Sequence, residues 1–261
     1  MKKYIKVLSR IIFARAGKEL ELRFNLLFEM LGGFIFFILH LIAFKIVLSY
    51  FSFSGWTTDQ LWILMATFLI FTYMAFFLFW KGLTRTVEEI RLGVLDSIIV
   101  KPINARFISF LRSGGLHNFA ASFTGVLMLV YFLFRSSTPV SALSIALYFT
   151  ALILSLWMIH CLTVTFVSLN FFFGYLPESS GFGFNIQEGY KYPSNVYLSR
   201  GLIIKLIFIP ISLLTTFPVQ LLLSKPAPEL VIWVVASVVI LTLVSHLAWS
   251  KGLELYSSAS S

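Results

Sequence analysis

Charge is what this sequence has least of: Asp, Glu, Lys and Arg together make up 12% of its 261 residues, against roughly 25% in soluble globular domains. That scarcity excludes a soluble fold. Cysteine is nearly missing as well, and a lone Cys161 excludes both an intramolecular disulfide and a zinc cluster built from paired cysteines. The chain has no G-x-x-x-x-G-K-[ST] phosphate loop, and Ser113-Gly114-Gly115 lacks the spacing and the lysine of one. Gly181-Phe182-Gly183 has no strand or helix context that would make it a dinucleotide fingerprint. Inside the apolar runs there is no H-E-x-x-H, no G-x-S-x-G and no paired carboxylate, which removes the usual nucleophile and metal constellations of an intramembrane enzyme. The apolar runs hold no mid-membrane carboxylate of the kind an ion-coupled carrier needs.

Apolar sequence is abundant: 59% of residues are hydrophobic and 29 are Phe. A spanning helix needs about 20 mostly apolar residues to cross about 30 Å of hydrocarbon. Six runs qualify, from Leu26 to Phe51, Leu61 to Trp80, Leu116 to Phe134, Leu143 to Leu169, Leu202 to Leu223 and Leu230 to Trp249. The expected fold is therefore all-α and polytopic, one transmembrane domain over 1–261. Short polar turns at 52–60, 135–139 and 224–229 fall on one side, with little more than Arg135, Lys225 and a snorkelling Lys45 for positive charge. The other side receives Lys2, Lys3, Lys6, Arg10, Arg15, Lys18 and Arg23, then Lys81, Arg85, Arg91, Lys101, Arg106 and Arg112, then Lys191, Arg200, Lys205 and Lys251. By the positive-inside rule that side and both termini are cytoplasmic, so the formal charge of +9 reports topology and not nucleic-acid binding.

The N-terminal 24 residues repeat Tyr4, Ile5, Leu8, Ile11 and Ile12 at helical spacing beside lysines and arginines, the pattern of a helix lying in the membrane interface. Arg10 and Arg15 interrupt any signal-peptide core. Glu29, Lys45 and Lys205 sit close enough to span ends to snorkel, and His40, His160 and His246 can be neutral and hydrogen-bonded between helices.

The segment 81–112 is the longest charged stretch. Thr86 and Glu89 have capping-box spacing and predict a short helix that Gly93 stops in a left-handed conformation. Val94 to Val100 reads as a second short helix, ended by Lys101 and Pro102. Val87, Ile90, Val94, Leu95 and Ile98 form an apolar stripe beside Glu88, Glu89, Arg91 and Asp96, a pattern suited to docking a soluble partner. The segment 174–199 has the Gly, Pro, Ser and Asn of an irregular loop and is expected on the same cytoplasmic side.

The string V-E-E-I-R-x-G-x-L-D-x-x-I-x-K-P-I-N at 87–104 resembles the cytoplasmic segment of ABC-2 type permeases, the membrane subunits of bacterial ABC exporters. Y-P-S-N-V-Y at 192–197, the two prolines of I-P-I-S-L-L-T-T-F-P at 209–218 and the terminal W-S-K-G-L-E-L-Y-S-S-A-S-S at 249–261 are also similar to that family. The resemblance implies a six-span permease of the cytoplasmic membrane that is not itself an enzyme, with Mg-ATP bound and hydrolysed by a separate ATPase subunit. It implies that Val87, Glu88, Glu89, Ile90, Arg91, Gly93, Leu95 and Asp96 belong to the coupling segment, with Lys101 and Pro102 closing it. It further implies a second permease, identical or a sister chain, and a path lined by Phe71, Tyr73, Phe76, Pro210, Thr215, Thr216, Phe217 and Pro218. The expected cargo is hydrophobic or amphipathic: a lipid, drug, peptide or polymer. A membrane anchor that recruits a soluble partner without transport would share the docking segment and lack the path; an intramembrane enzyme is the third alternative.

Overall fold

The computed structural model describes residues 2–21, 23–111, 115–136, 139–198, 201–224 and 228–256, without the side chains of some of them. Arg112, Ser137, Arg200, Lys225 and the final 257–261 of the terminal motif lie outside the described residues, as does the side chain of Lys205. Among the described residues the regular structure is all helical. The twelve helices run α1 (Lys2–Glu21), α2 (Arg23–Tyr50), α3 (Thr58–Ala75), α4 (Lys81–Arg91), α5 (Asp96–Ile99), α6 (Ala105–Leu111), α7 (Leu116–Arg135), α8 (Ala142–Phe173), α9 (Pro177–Tyr190), α10 (Asn195–Leu198), α11 (Leu202–Leu222) and α12 (Pro228–Leu255).

Five stretches are long and apolar enough to cross a membrane: Phe24–Tyr50, Thr58–Arg91, His117–Arg135, Ala142–Phe173 and Pro228–Leu255. The second of these joins α3 to α4 through a π-helical turn, Phe76–Trp80. At 1.5 Å per residue this 34-residue rod is about 50 Å long, longer than the hydrocarbon. Its far end is the charged helix α4. The rod starts on a capping box that sequence reading passed over: Gln60 N–H donates to Thr57 Oγ1 at 3.3 Å, and Thr57 N–H donates to Gln60 Oε1 at 3.2 Å. Ser141 starts α8 in a related way, accepting from Ser144 N–H at 3.0 Å.

The turns expected to share one side do so. Arg135 Nε lies 3.2 Å from Asp59 Oδ1, and the Ser144 and Ser224 hydroxyls are 3.0 Å apart. This is the turn end of the molecule. α4, α5, α6 and the C-terminus gather at the opposite, hairpin end.

The segment 174–199 does not stay at one end. Near its start, Tyr175 stacks under the Arg91 guanidinium, 5.1 Å from the ring centroid, at the tip of α4. At its finish, Tyr192 stacks on Phe53 at 6.1 Å, and Asn195 Nδ2 donates to the Ser54 carbonyl at 2.7 Å, both in the turn after α2. The expected loop is thus a crossing made by α9 and the residues after it, with Pro177 in the helix's first turn, where a missing N–H costs nothing. Lys191 lies with Tyr192 near the turn end and leaves the basic side to which its sequence position assigned it.

The apolar run expected at 202–223 forms α11, a helix of 21 residues, and the contact between the Ser144 and Ser224 hydroxyls places its C-terminal end at the turn end. Two internal prolines, Pro210 and Pro218, bend it, and Thr215 and Thr216 tie it to α9 by donating to Tyr190 O and by accepting from Ser194 N–H at 3.1 Å.

The core is built around α3. Ile63, Leu64, Met65, Ala66 and Thr67 are fully buried. Thr67 Oγ1 donates to Ile63 O at 3.0 Å and lies 3.1 Å from Tyr148 Oη on α8. Satisfying each buried hydroxyl inside the bundle matters because hydrocarbon offers no replacement partner.

Candidate functional site

The hairpin at the end of the long rod is rigidly made. Gly93 has φ +66°, the left-handed conformation its position predicted. Gly93 N–H donates to Ile90 O at 3.2 Å and Val94 N–H to Glu89 O at 3.0 Å, so α4 ends on a complete Schellman motif. The predicted capping box is absent, because α4 starts at Lys81 and Thr86 lies in its interior. Thr86 Oγ1 instead donates to Gly82 O at 2.7 Å, and Glu89 pairs with Arg85 Nε at 3.2 Å. Gly82 lets α6 press against α4: a Cβ there would sit 2.3 Å from the Phe110 carbonyl oxygen.

Three of the five stripe residues face inward. Val87 is 1% exposed, and Leu95 and Ile98 are fully buried, packed with Ile108 against Phe171, Leu253 and Tyr256. The C-terminal Tyr256 closes this arrangement, its hydroxyl accepting from Leu95 N–H at 2.9 Å; burial raises the phenol's pKa and favours the neutral hydroxyl. Val87, Glu89 and Leu95 thus hold the hairpin together. Its outer rim is made by Val94 of the stripe (47% exposed) together with three residues the stripe did not pick out, Leu92 (50%), Ile99 (41%) and Val100 (79%). Around them stand Arg91, paired with Glu88, and the exposed Lys101 and Pro102, while Asp96 is half-buried and Ile90 packs partly on the core.

The expected path residues separate into two groups. Tyr73 and Phe76 line a cavity of about 860 Å³ between α2, the α3–α4 rod and the start of α7. Phe71, Thr215, Thr216, Phe217 and Pro218 are buried in packing: Phe71 meets the Tyr190 ring edge-on at 5.1 Å, and the two threonines hold α9. Pro210 is half-buried in α11. Glu29, read as a snorkelling residue, forms one wall of the cavity, with Lys81 Nζ 3.2 Å from one carboxylate oxygen and His117 Nδ1 2.8 Å from the other.

α9 supplies a feature that sequence reading missed. Glu178, Asn185 and Glu188 are exposed, and Gly181 half-exposed, at spacings of three, four and three residues along one helix face. Glu188 lies one turn from Lys191 (Nζ to Oε1 3.4 Å) and next to Tyr190, whose hydroxyl accepts from Thr72 at 3.4 Å midway down the rod. This is a polar stripe along one face of a helix of the bundle; against lipid such a stripe would be costly, and beside water it would not. The signal was a helical period hidden in a Gly- and Ser-rich composition. Among the described residues no group of three or more His, Cys, Asp and Glu could hold a metal ion.

The family described as ABC-2 family transporter protein matches residues 27–260, nearly the whole chain. Neither the curated proteins nor the solved structures gave a match.

Proposed function

Because the chain belongs to the ABC-2 transporter family as a membrane component, we propose that it is the permease subunit of an ATP-driven exporter and docks its ATPase through the rim of the α4–α5 hairpin. Membership in the family implies an ATPase partner. The observation that carries the docking surface is the rim itself: Leu92, Val94, Ile99 and Val100 stay exposed on a hairpin whose inner face is fully packed. A rigid apolar patch edged by the Arg91–Glu88 pair has the form of a partner site. The long rod gives it a mechanical link, since movement of α4 is carried through the π turn into the most buried helix of the bundle.

The path follows α9. In this reading a second copy or a sister permease faces the stripe Glu178, Asn185 and Glu188, and the two polar faces enclose water between greasy walls, which suits an amphipathic cargo. The hairpin end and both termini are cytoplasmic, supported by the basic residues of α1 and α4. Cysteines at Ser54 and at Asn195 are then expected to react with an impermeant thiol reagent from outside sealed cells, and one at Lys101 is not. Labelling at Lys101 with silent Ser54 would reverse the orientation.

Purification of the full chain from its native membranes in mild detergent tests the function, alone and as Leu92→Asp and Val100→Asp. An ATP-hydrolysing subunit is expected to accompany the parent chain and to be lost from both variants, with thermal unfolding unchanged because both side chains already face solvent. Retention by both variants would remove the rim as the dock; absence of any ATPase with the parent chain would remove the permease reading.

A further inference from the structure

We propose that the cavity between α2 and the α3–α4 rod binds an amphipathic molecule with an anionic, phosphate-type head, and that Glu29 occupies the head's position until such a molecule displaces it. The space is about 860 Å³, in the size range of ligand pockets. Its walls differ along their length. Gly32, Gly33, Phe36, Tyr73, Phe76 and Trp80 make an apolar stretch, and a Cβ added at Gly32 or Gly33 would meet nothing within 4 Å. At the hairpin end the lining turns polar, with Lys81, Thr84, Arg85 and Asn118 around the Glu29 carboxylate.

The choice of head charge follows from which wall is more deeply packed. Lys81 and Arg85 stand one turn apart on the rod, beside Gly82, Leu83 and Thr86, which are buried. Glu29 stands on α2, where Phe24, Phe28, Leu31, Phe34, Ile35 and Leu39 are all half or more exposed. The more deeply packed wall is cationic and the more exposed one carries the anion. Glu29 already makes the contacts a phosphate would make, to Lys81 Nζ at 3.2 Å and His117 Nδ1 at 2.8 Å. Of the other charges on the lining, Glu88 is engaged by Arg91, and Arg85 is shared with Glu89 at 3.2 Å. A phosphate head entering beside Lys81 would take over its ammonium from the Glu29 carboxylate, while the Tyr73 hydroxyl, donating to Gly33 O at 3.3 Å, keeps α2 on the rod; an acyl tail would lie along Gly32 and Gly33 against Phe36 and Phe76. As a cargo or lipid entry this deepens the permease reading and rests on it, but the binding itself requires no ATPase.

The test is equilibrium binding of radiolabelled dodecyl phosphate to the full chain in maltoside micelles, with dodecyltrimethylammonium and inorganic phosphate as competitors. Lys81→Gln should weaken binding about tenfold, the effect of losing roughly 1.4 kcal/mol of a charge-assisted contact. Glu29→Gln, of nearly the same shape, should tighten it several-fold by removing the competing carboxylate. Gly33→Leu should block the tail while leaving both charges in place. Failure of Glu29→Gln to tighten binding, or displacement of dodecyl phosphate by the quaternary ammonium, overturns the anionic head; equal competition by inorganic phosphate, or full binding in Gly33→Leu, overturns the amphipathic site. Because the assay contains no ATPase, a negative result leaves the hairpin dock standing, and loss of the dock in Val100→Asp leaves this binding unchanged.

Discussion

α2 and α3 are both long apolar helices, and by composition either could be the centre of the bundle. α3 is buried along nearly its whole length, from Gln60 through Tyr73. α2 buries Phe44 and little else, and presents Phe24, Phe28, Leu31, Phe34, Ile35 and Leu39 outward. The difference shows that hydrophobicity places a helix in the membrane without deciding what covers it. Lipid and protein are equally acceptable to a leucine; only the polar and small residues record which one is there. α3 and its continuation carry Thr67, Thr72, Thr86 and Gly82 at contacts, whereas Gly32 and Gly33 on α2 border open space.

The sharpest way to break this comparison is to add one methyl group to a glycine on each side of it. Gly82→Ala drives a Cβ to 2.3 Å from the Phe110 carbonyl, and overpacking of that kind costs about 1–3 kcal/mol or more, since backbone must move. The same change at Gly32 meets nothing and should gain a few tenths of a kcal/mol, about the helix propensity of alanine discounted for the membrane. Thermal unfolding in detergent measures both; equal effects would mean that rod and outer helix are packed alike. Next in size, Gly93→Val places a β-branched residue at φ +66° and should cost about 1–2 kcal/mol, read as loosening of the hairpin by proteolysis at 91–95 with the spans intact. Smaller still is Arg15→Gln. Arg15 on α1 donates from Nη2 to Phe77 O inside the π turn at 2.7 Å. Loss of this charged donor should cost about 1 kcal/mol and appear as faster hydrogen exchange across 76–81, while exchange at 61–72 is unchanged.

Much of the architecture was legible in the residues. The runs of apolar sequence became membrane-length helices at five places, the three short turns meet at one end, and Gly93 stops α4 as its position required. What could not be read was non-local. The stripe of Val87, Ile90, Val94, Leu95 and Ile98 was expected to dock a partner, yet Val87, Leu95 and Ile98 are buried inside the protein while Val94 stays exposed; a stripe does not say what buries it, and Leu253 and Tyr256 return from the far end of the chain to cover Leu95 and Ile98. Thr86 and Glu89 have the spacing of a cap, yet the helix continues unbroken through a π turn before them, so no free N-terminus exists there to be capped. α9 was hidden because Gly, Ser and Asn weaken a helix in water, whereas contacts with α4, α8 and α11 stabilise it here.

The central claim is that the outward rim of the hairpin, and not the buried part of its apolar stripe, meets the ATPase. A photoreactive benzoylphenylalanine at Val100, 79% exposed on that rim, tests it most directly, with a second at Phe51, 65% exposed in the turn at the opposite end. In native membranes, illumination should join the Val100 variant to an ATP-hydrolysing subunit and the Phe51 variant to none. A Val100 probe that captures only lipid, in preparations where the ATPase still co-purifies, would contradict the account and place the dock elsewhere.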